Sequence, residues 1–174
     1  FFMEWLISSP RLKFRKIMQS DFDDLSHILQ DSQIMYAWEH AFSDEEVKNW
    51  INENLARYKK DRCSYYYVAK KDDNSFIGVI GPLIENLEGE PHMGVGYILD
   101  KKYWGQGFAR EGAKAAIEYA FYSLGADEVV ATIRPENDPS RNVAKSLGMK
   151  QKGEFIKNYK GKSMPHLIYA IQKN

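Results

Sequence analysis

Cysteine is almost absent: Cys63 stands alone in a chain of 174 residues, so no internal disulfide can staple it. That excludes a small bridge-dependent secreted scaffold and makes a reducing cytoplasm the expected setting. Cys63 precedes a β-rich stretch and reads as a half-buried structural thiol rather than a nucleophile. Net charge is missing too. Twenty-four Lys and Arg balance 24 Asp and Glu, so no overall field recruits nucleic acid or an anionic membrane. Residues 1–87 carry 11 basic and 14 acidic side chains and the remainder 13 and 10, an unevenness that ordinary surface scatter explains. No apolar run approaches the roughly 18 residues of a membrane span. The opening FFMEWLISSP has no basic n-region, adequate h-region or small-residue cleavage site, and does not read as a signal peptide. Phe1 and Phe2 precede the first early Met, Met3, and read as either expression-derived or fragment remnants, with residues 1–10 expected to form a flexible or expression-derived extension.

Repeats, low-complexity tracts and linkers are also lacking, and 44% hydrophobic residues over this length suit one domain, 1–174, with its own core. Arg11 to Ile17 alternates apolar and basic residues as a half-buried strand does. Ser20 with Asp23, and Ser43 with Glu46, have the spacing of capping boxes, predicting helices to Gln30 and to about Lys60. Between them lies an aromatic loop that includes Tyr36 and Trp38. Strands are expected at Tyr65 to Lys70, Phe76 to Leu83 and Met93 to Leu99, with Ile84 to Pro91 irregular. A helix with a small-residue face (Ala109, Ala113, Ala116, Ala120) ends at Gly125. A strand at Val129 to Ile133, a short helix at Ser140 to Leu147 and a hairpin of Glu154 to Tyr159 with His166 to Ile171 complete the order.

Tyr97 to Gly112, YILDKKYWGQGFAREG, carries the most information. An apolar strand runs into a glycine-bearing turn that opens a helix, so uncovered N–H groups and a positive dipole end face whatever sits there. Gly105 and Gly107 keep side chains out of the way, as a phosphate seat requires. A dinucleotide fingerprint is excluded because Arg110 stands where its third small residue belongs, and Asp127 and Glu128 precede the next strand instead of closing it. Gly161-Lys162-Ser163 imitates the end of a Walker motif, but Ile156 occupies the first Gly position and no helix pattern follows.

With those motifs gone, the segment resembles motif A of the GNAT superfamily of acetyl-CoA-dependent N-acetyltransferases. The pattern Q/R-x-x-G-x-G/A falls on Trp104, Gly107 and Ala109, with Trp in place of Gln or Arg. YWGQGFA looks most like the RimJ/RimL-type branch, which acetylates protein N-termini. ENDPSRNVAKSLGM at Glu136 to Met149 resembles that branch's N-x-x-S segment, YKGKSMPHLIYAI its closing hairpin, and RLKFRKI its opening strand. The resemblance implies a mixed α/β GNAT-like fold: a central, mostly antiparallel sheet of about seven strands flanked by about four helices. It implies acetyl-CoA as co-substrate, no metal, an amine acceptor, and a monomer or homodimer.

Residue by residue, the resemblance assigns cofactor binding to Ile98, Leu99, Trp104, Gly105, Gln106, Gly107, Phe108, Ala109, Arg110, Asn137 and Ser140. Backbone groups of Ile98 and Leu99 would pair with the pantetheine arm, and the Leu99 N–H would polarise the thioester. The family's thiolate-protonating tyrosine corresponds to Ala144, so Ser140 is the candidate acid; a helix N-cap is its structural alternative. The family's carboxylate ahead of the feeding strand's I-G-Y triplet corresponds to Gly94. Glu90, His92 or a water chain must then accept the amine's proton. Tyr36, Trp38 and Glu88 are placed on the acceptor side, with core packing as the alternative for the aromatics. Two competing functions stay open: acetylation of a small amine such as a polyamine or antibiotic, and a non-catalytic acyl-CoA-binding module.

Overall fold

Strand alternation and helix capping account for most of the architecture seen in the computed structural model, which describes residues 4–174. The strands are β1 (Ile7–Ser8), β2 (Leu12–Lys16), β3 (Tyr66–Lys70), β4 (Phe76–Leu87), β5 (Glu90–Leu99), β6 (Glu128–Ile133), β7 (Lys150–Tyr159) and β8 (Lys162–Gln172). They form one sheet in the order β1-β2-β3-β4-β5-β6-β8-β7. Every neighbouring pair is antiparallel except β5 and β6. Helices α1 (Phe22–Leu29) and α2 (Asp44–Asp61) cover one face, and α3 (Phe108–Tyr122) and α4 (Asp138–Ser146) the other. This is the mixed, mostly antiparallel plan expected, with eight strands where about seven were predicted. No helix among the described residues is long and apolar enough to cross a membrane.

Two apolar layers hold the helices to the sheet. Phe14, Tyr66 and Ile80 pack with Ala113, Ala116 and Ala120 of α3, whose small side chains let that helix lie close. On the opposite face Val79 and Leu83 meet Leu25 and Ile28 of α1 and Val47 and Ile51 of α2. Each fully buried aliphatic or aromatic side chain contributes about 1.5–3 kcal/mol to such a layer.

Local chemistry explains where the elements begin. Ser43 Oγ accepts the Glu46 N–H at 3.2 Å and the Glu46 carboxylate accepts the Ser43 N–H at 3.1 Å, the reciprocal box predicted for α2. At α1 the predicted Ser20 box does not form. Asp21 instead accepts the Met18 N–H at 2.8 Å while its carboxylate closes a buried pair with Arg15 at 2.8 Å, so the turn is set where a buried cation needs its partner.

Two expectations are corrected. The segment taken as an extension supplies β1: Ile7 is buried and the Leu6 N–H donates to the Phe14 carbonyl at 2.7 Å. The reading of Phe1 and Phe2 lies outside the described residues. Ile84 to Pro91, read as irregular, is the far half of a continuous β4–β5 hairpin, closed by Glu88 (φ 52°) and Gly89 (φ 87°). Both positive φ values match the right-handed twist of the strands, as in a two-residue type I′ turn.

Candidate active site

The sheet parts between β5 and β6. The two strands touch at a single parallel pair, Gly94 with Val130, after which β5 stays with β4 to Leu99 and β6 with β8 to Ile133. The Asp100 N–H donates to the Ile77 carbonyl at 2.9 Å, so even-numbered residues of β5 turn their backbone groups toward β4. Odd-numbered residues turn theirs into the gap. Ile98, expected to offer its backbone there, therefore faces β4, and the open groups belong to Tyr97 and Leu99. The Leu99 carbonyl accepts the Trp104 indole N–H at 3.1 Å, leaving the Leu99 N–H directed into the gap.

At the end of β5 the chain turns into α3 through two glycines of positive φ, Gly105 at 74° and Gly107 at 81°. Gly107 is the N-cap of this 15-residue helix, and a Cβ there would meet only the Arg11 guanidinium, at 3.4 Å. A Cβ at Gly105 would meet nothing within 4 Å. Open space against a helix N-terminus suits a pyrophosphate, the fit that coenzyme A requires. Arg11 buttresses the turn: its guanidinium lies 4.1 Å from the Phe108 ring centre, bonds the Glu111 carboxylate at 2.6 Å and donates to the Gln106 carbonyl at 3.1 Å. Sequence reading placed Arg11 on a strand and saw no link to the turn, because the partners lie about 100 residues apart.

A cavity of about 680 Å³ rises from this turn. Its walls include every residue expected to bind the cofactor except Gln106, whose side-chain amide instead donates to the Lys102 carbonyl at 3.0 Å. A second cavity, about 850 Å³, opens on the face carrying α2, with Trp50, Tyr65, Glu85, Arg134 and His166 in its walls. The two meet. Ala37, Trp38, Tyr97, Asn137, Ser140 and Val143 line both. Tyr36, expected on the acceptor side, borders only the first cavity, with the Arg134 guanidinium 5.7 Å from its ring centre.

Ser140 sits at this junction with its hydroxyl 3.0 Å from that of Tyr97. Asn137, not Ser140, caps α4: its side-chain oxygen accepts the Ser140 N–H at 3.2 Å. The Ser140 hydroxyl is thus released from capping and paired with a phenol that burial pushes up, against the opposing pull of the Ser140 bond. Tyr97 was read only as part of the strand; alternation along β5 was the signal that sends its side chain toward α4.

Glu88 and Glu90 lie exposed at the closed end of the β4–β5 hairpin, and neither they nor His92 lines either cavity. Six residues of strand separate Glu90 from Gly96, roughly 20 Å, so a proton could reach Glu90 only through a relay of water. Glu39 is held by Arg134 at 3.2 Å and Lys162 at 3.4 Å, and His40 by Glu46 at 2.7 Å. Glu85, passed over in the segment read as irregular, does line the second cavity, and burial raises its pKa.

These features have close parallels. Residues 11–150 match the family described as the acetyltransferase (GNAT) domain. The N-acetyltransferase YnaD of Bacillus subtilis, itself uncharacterized, is 32% identical over 152 residues, covering 87% of this chain and 86% of YnaD. The crystal structure of a GNAT-family acetyltransferase from Bacillus anthracis superposes with a TM-score of 0.81 at 27% identity, over 95% of this chain and 97% of that one. RimL, the ribosomal L7/L12 α-N-protein acetyltransferase, solved in complex with coenzyme A, shares the fold with a TM-score of 0.79 at 19% identity, over 97% and 98% of the two chains. The chain belongs to the GNAT family of acetyl-CoA-dependent N-acetyltransferases.

Proposed function

We propose that this enzyme acetylates the α-amine of a protein or peptide N-terminus by direct attack on the thioester, with no acetyl-enzyme. The observation that carries this reading is the junction itself: two cavities meet at Tyr97 and Ser140, so donor and acceptor can each occupy one and react at one point. Bringing them together makes a bimolecular step effectively unimolecular, an entropic gain that the scaffold supplies in advance. An acceptor cavity of about 850 Å³, bordered by α2 and the β7–β8 hairpin, has room for several residues of an extended chain.

Each role follows from placement. Acetyl-CoA supplies the activated acetyl group. The N–H groups of Gly105 to Arg110 hold its pyrophosphate, and the Leu99 N–H draws charge onto the thioester oxygen. Ser140 donates its proton to the departing sulfur, and the Tyr97 hydroxyl beside it replaces that proton. Cys63 takes no part: it is fully buried, and burial pushes its thiol up to about 11, so a thiolate is not on hand.

The test is thiol release from acetyl-CoA against a panel of N-terminal peptides, polyamines and aminoglycosides. Turnover of peptides at least tenfold above every small amine is expected. Preference for a small amine would move the assignment to small-molecule acetylation, and binding of acetyl-CoA without turnover of any amine would leave only a binding module.

A further inference from the structure

We infer that Glu85, projecting from β4 over Gly94 of the neighbouring strand, is the group that takes the proton from the acceptor amine. The inference rests on the acetyltransferase reading above and assigns that reaction its missing base. Glu85 and His92 are opposite each other in the β4–β5 ladder, and Leu83 is opposite Gly94, so all four share the face that carries α2. The Glu85 side chain leans along the strand toward Gly94, where a Cβ would overlap its Cγ. A carboxylate rooted on β4 thus occupies space above β5 that a side chain at position 94 would otherwise fill. It is also close to where β5 leaves β6 and the gap begins.

Among the described residues, the acceptor cavity holds one carboxylate that is neither ion-paired nor fully exposed, Glu85. Its other carboxylates are Glu46, tied to His40 at 2.7 Å and to the Ser43 N–H, and Glu53, exposed on α2. Glu46 is held below the usual carboxylate range by those bonds, first of all by His40, and is a poor base. Glu85 is half-buried with no ion pair among the described residues, and desolvation raises its pKa, opposed only at a distance by Lys157 of β7 and Arg57 of α2. Tyr65, ahead of β3, faces it with a phenol that burial keeps protonated, and His166 of β8 lines the same cavity. A raised carboxylate on an apolar floor is matched to deprotonating an ammonium near neutral pH.

The steps balance. One ammonium N–H bond breaks and an O–H bond forms on Glu85. The neutral amine then forms the C–N bond, the C–S bond breaks, and the sulfur takes the Ser140 proton. The amide nitrogen releases its second proton to solvent, from which Tyr97 and Ser140 are restored, and Glu85 passes its proton to solvent to complete the cycle.

The test measures kcat/KM for thiol release from pH 5.5 to 9.5 with the best peptide of the panel, alongside acetyl-CoA affinity and melting. Glu85→Gln should lower kcat/KM by about 10²-fold at pH 7, with a deficit that shrinks as pH passes the α-amine value near 8, where free amine needs no base. Acetyl-CoA affinity should stay within twofold. The double variant Glu85→Gly with Gly94→Glu, which roots the carboxylate on the adjacent strand, should recover at least tenfold over Glu85→Gln. Three results would overturn the assignment alone: Glu85→Gln within threefold of wild type throughout, a loss independent of pH, or an acidic limb abolished by His166→Asn and kept by Glu85→Gln. A wild type that turns over no amine would overturn the acetyltransferase reading together with it.

Discussion

The donor and acceptor cavities share a junction but are built differently. Half of the donor wall comes from one continuous stretch, Tyr97 to Arg110, in which a strand, two glycines and a helix N-terminus follow one another, and the rest from two short segments, 33–38 and 136–143. The acceptor wall is assembled from α2, β4, β5, β6, α4, β7 and β8. In the proposed mechanism the donor chemistry falls largely to backbone groups, so sequence spacing alone exposes it. In the proposed mechanism the acceptor chemistry falls to side chains from distant strands, and which of them meet is settled only by register.

That contrast can be broken by experiment, beginning with Ser140, one of the six residues that line both cavities. Ser140→Ala should lower kcat by about 10²-fold or more with acetyl-CoA affinity close to wild type, because a general acid acts in the transition state. Since Asn137 does the capping, melting should be nearly unchanged. Single-turnover rates within threefold of wild type would give the proton to water instead. On the donor side alone, Gly107→Val should weaken acetyl-CoA binding well over tenfold in calorimetry, because a β-branched residue at φ 81° strains the turn that presents the N–H groups. A folded variant with wild-type affinity would move the pyrophosphate elsewhere. Tyr97→Phe removes one hydrogen bond to Ser140, which at about 0.5–1.5 kcal/mol should slow turnover by about two- to tenfold without altering affinity.

Glu111 gives a smaller effect that reads out as pH. Burial pushes its carboxyl up, but bonds from the Ser9 hydroxyl, the Arg11 N–H and the Arg11 guanidinium outweigh that and hold it below the usual range. A depressed folded pKa adds stability above the unfolded value, about 4.3, and that stability is lost as pH falls through the folded one. Glu111→Gln should therefore melt below wild type at neutral pH and converge with it below about pH 4. Parallel melting curves across that range would remove the tie between the β1–β2 turn and α3 from the stability of the fold. Smallest of all, Cys63→Ser should keep most activity; trapping of an acetylated Cys63 by mass spectrometry, with activity lost, would replace direct attack by a covalent route.

What sequence made legible follows the same division. The Ser43–Glu46 box, the alanine face of α3 and the Gly105–Gly107 turn are local patterns, and the structure keeps all three. Ile84 to Pro91 was misread because Asn86, Glu88, Gly89 and Pro91 all signal loop. Pro91 is nevertheless harmless in the strand: as an odd-numbered residue of β5 it faces away from β4, where no ladder bond needs its missing N–H. Without the hairpin's register, sequence alone does not place Glu85 over Gly94, and Glu90 and His92 stand nearer to the feeding strand. Tyr97 was hidden differently, since its partner lies 43 residues away on α4.

The single contact between β5 and β6 has a consequence for how the molecule holds together. Ladder pairing between β5 and β6 is reduced to Gly94 and Val130, so few backbone bonds join the assembly of β1 to β5 to that of β6, β8 and β7, and side-chain packing between β5, β6 and α3 supplies much of the rest. Anything bound in the cleft with its own amide groups would act as a mechanical splint between two blades. At a hundred times its dissociation constant such a ligand would add about 2.7 kcal/mol of apparent stability. The slowest amide exchange should then shift from the blades' interiors toward the seam, which makes protection at Tyr97 and Leu99 a direct gauge of occupancy.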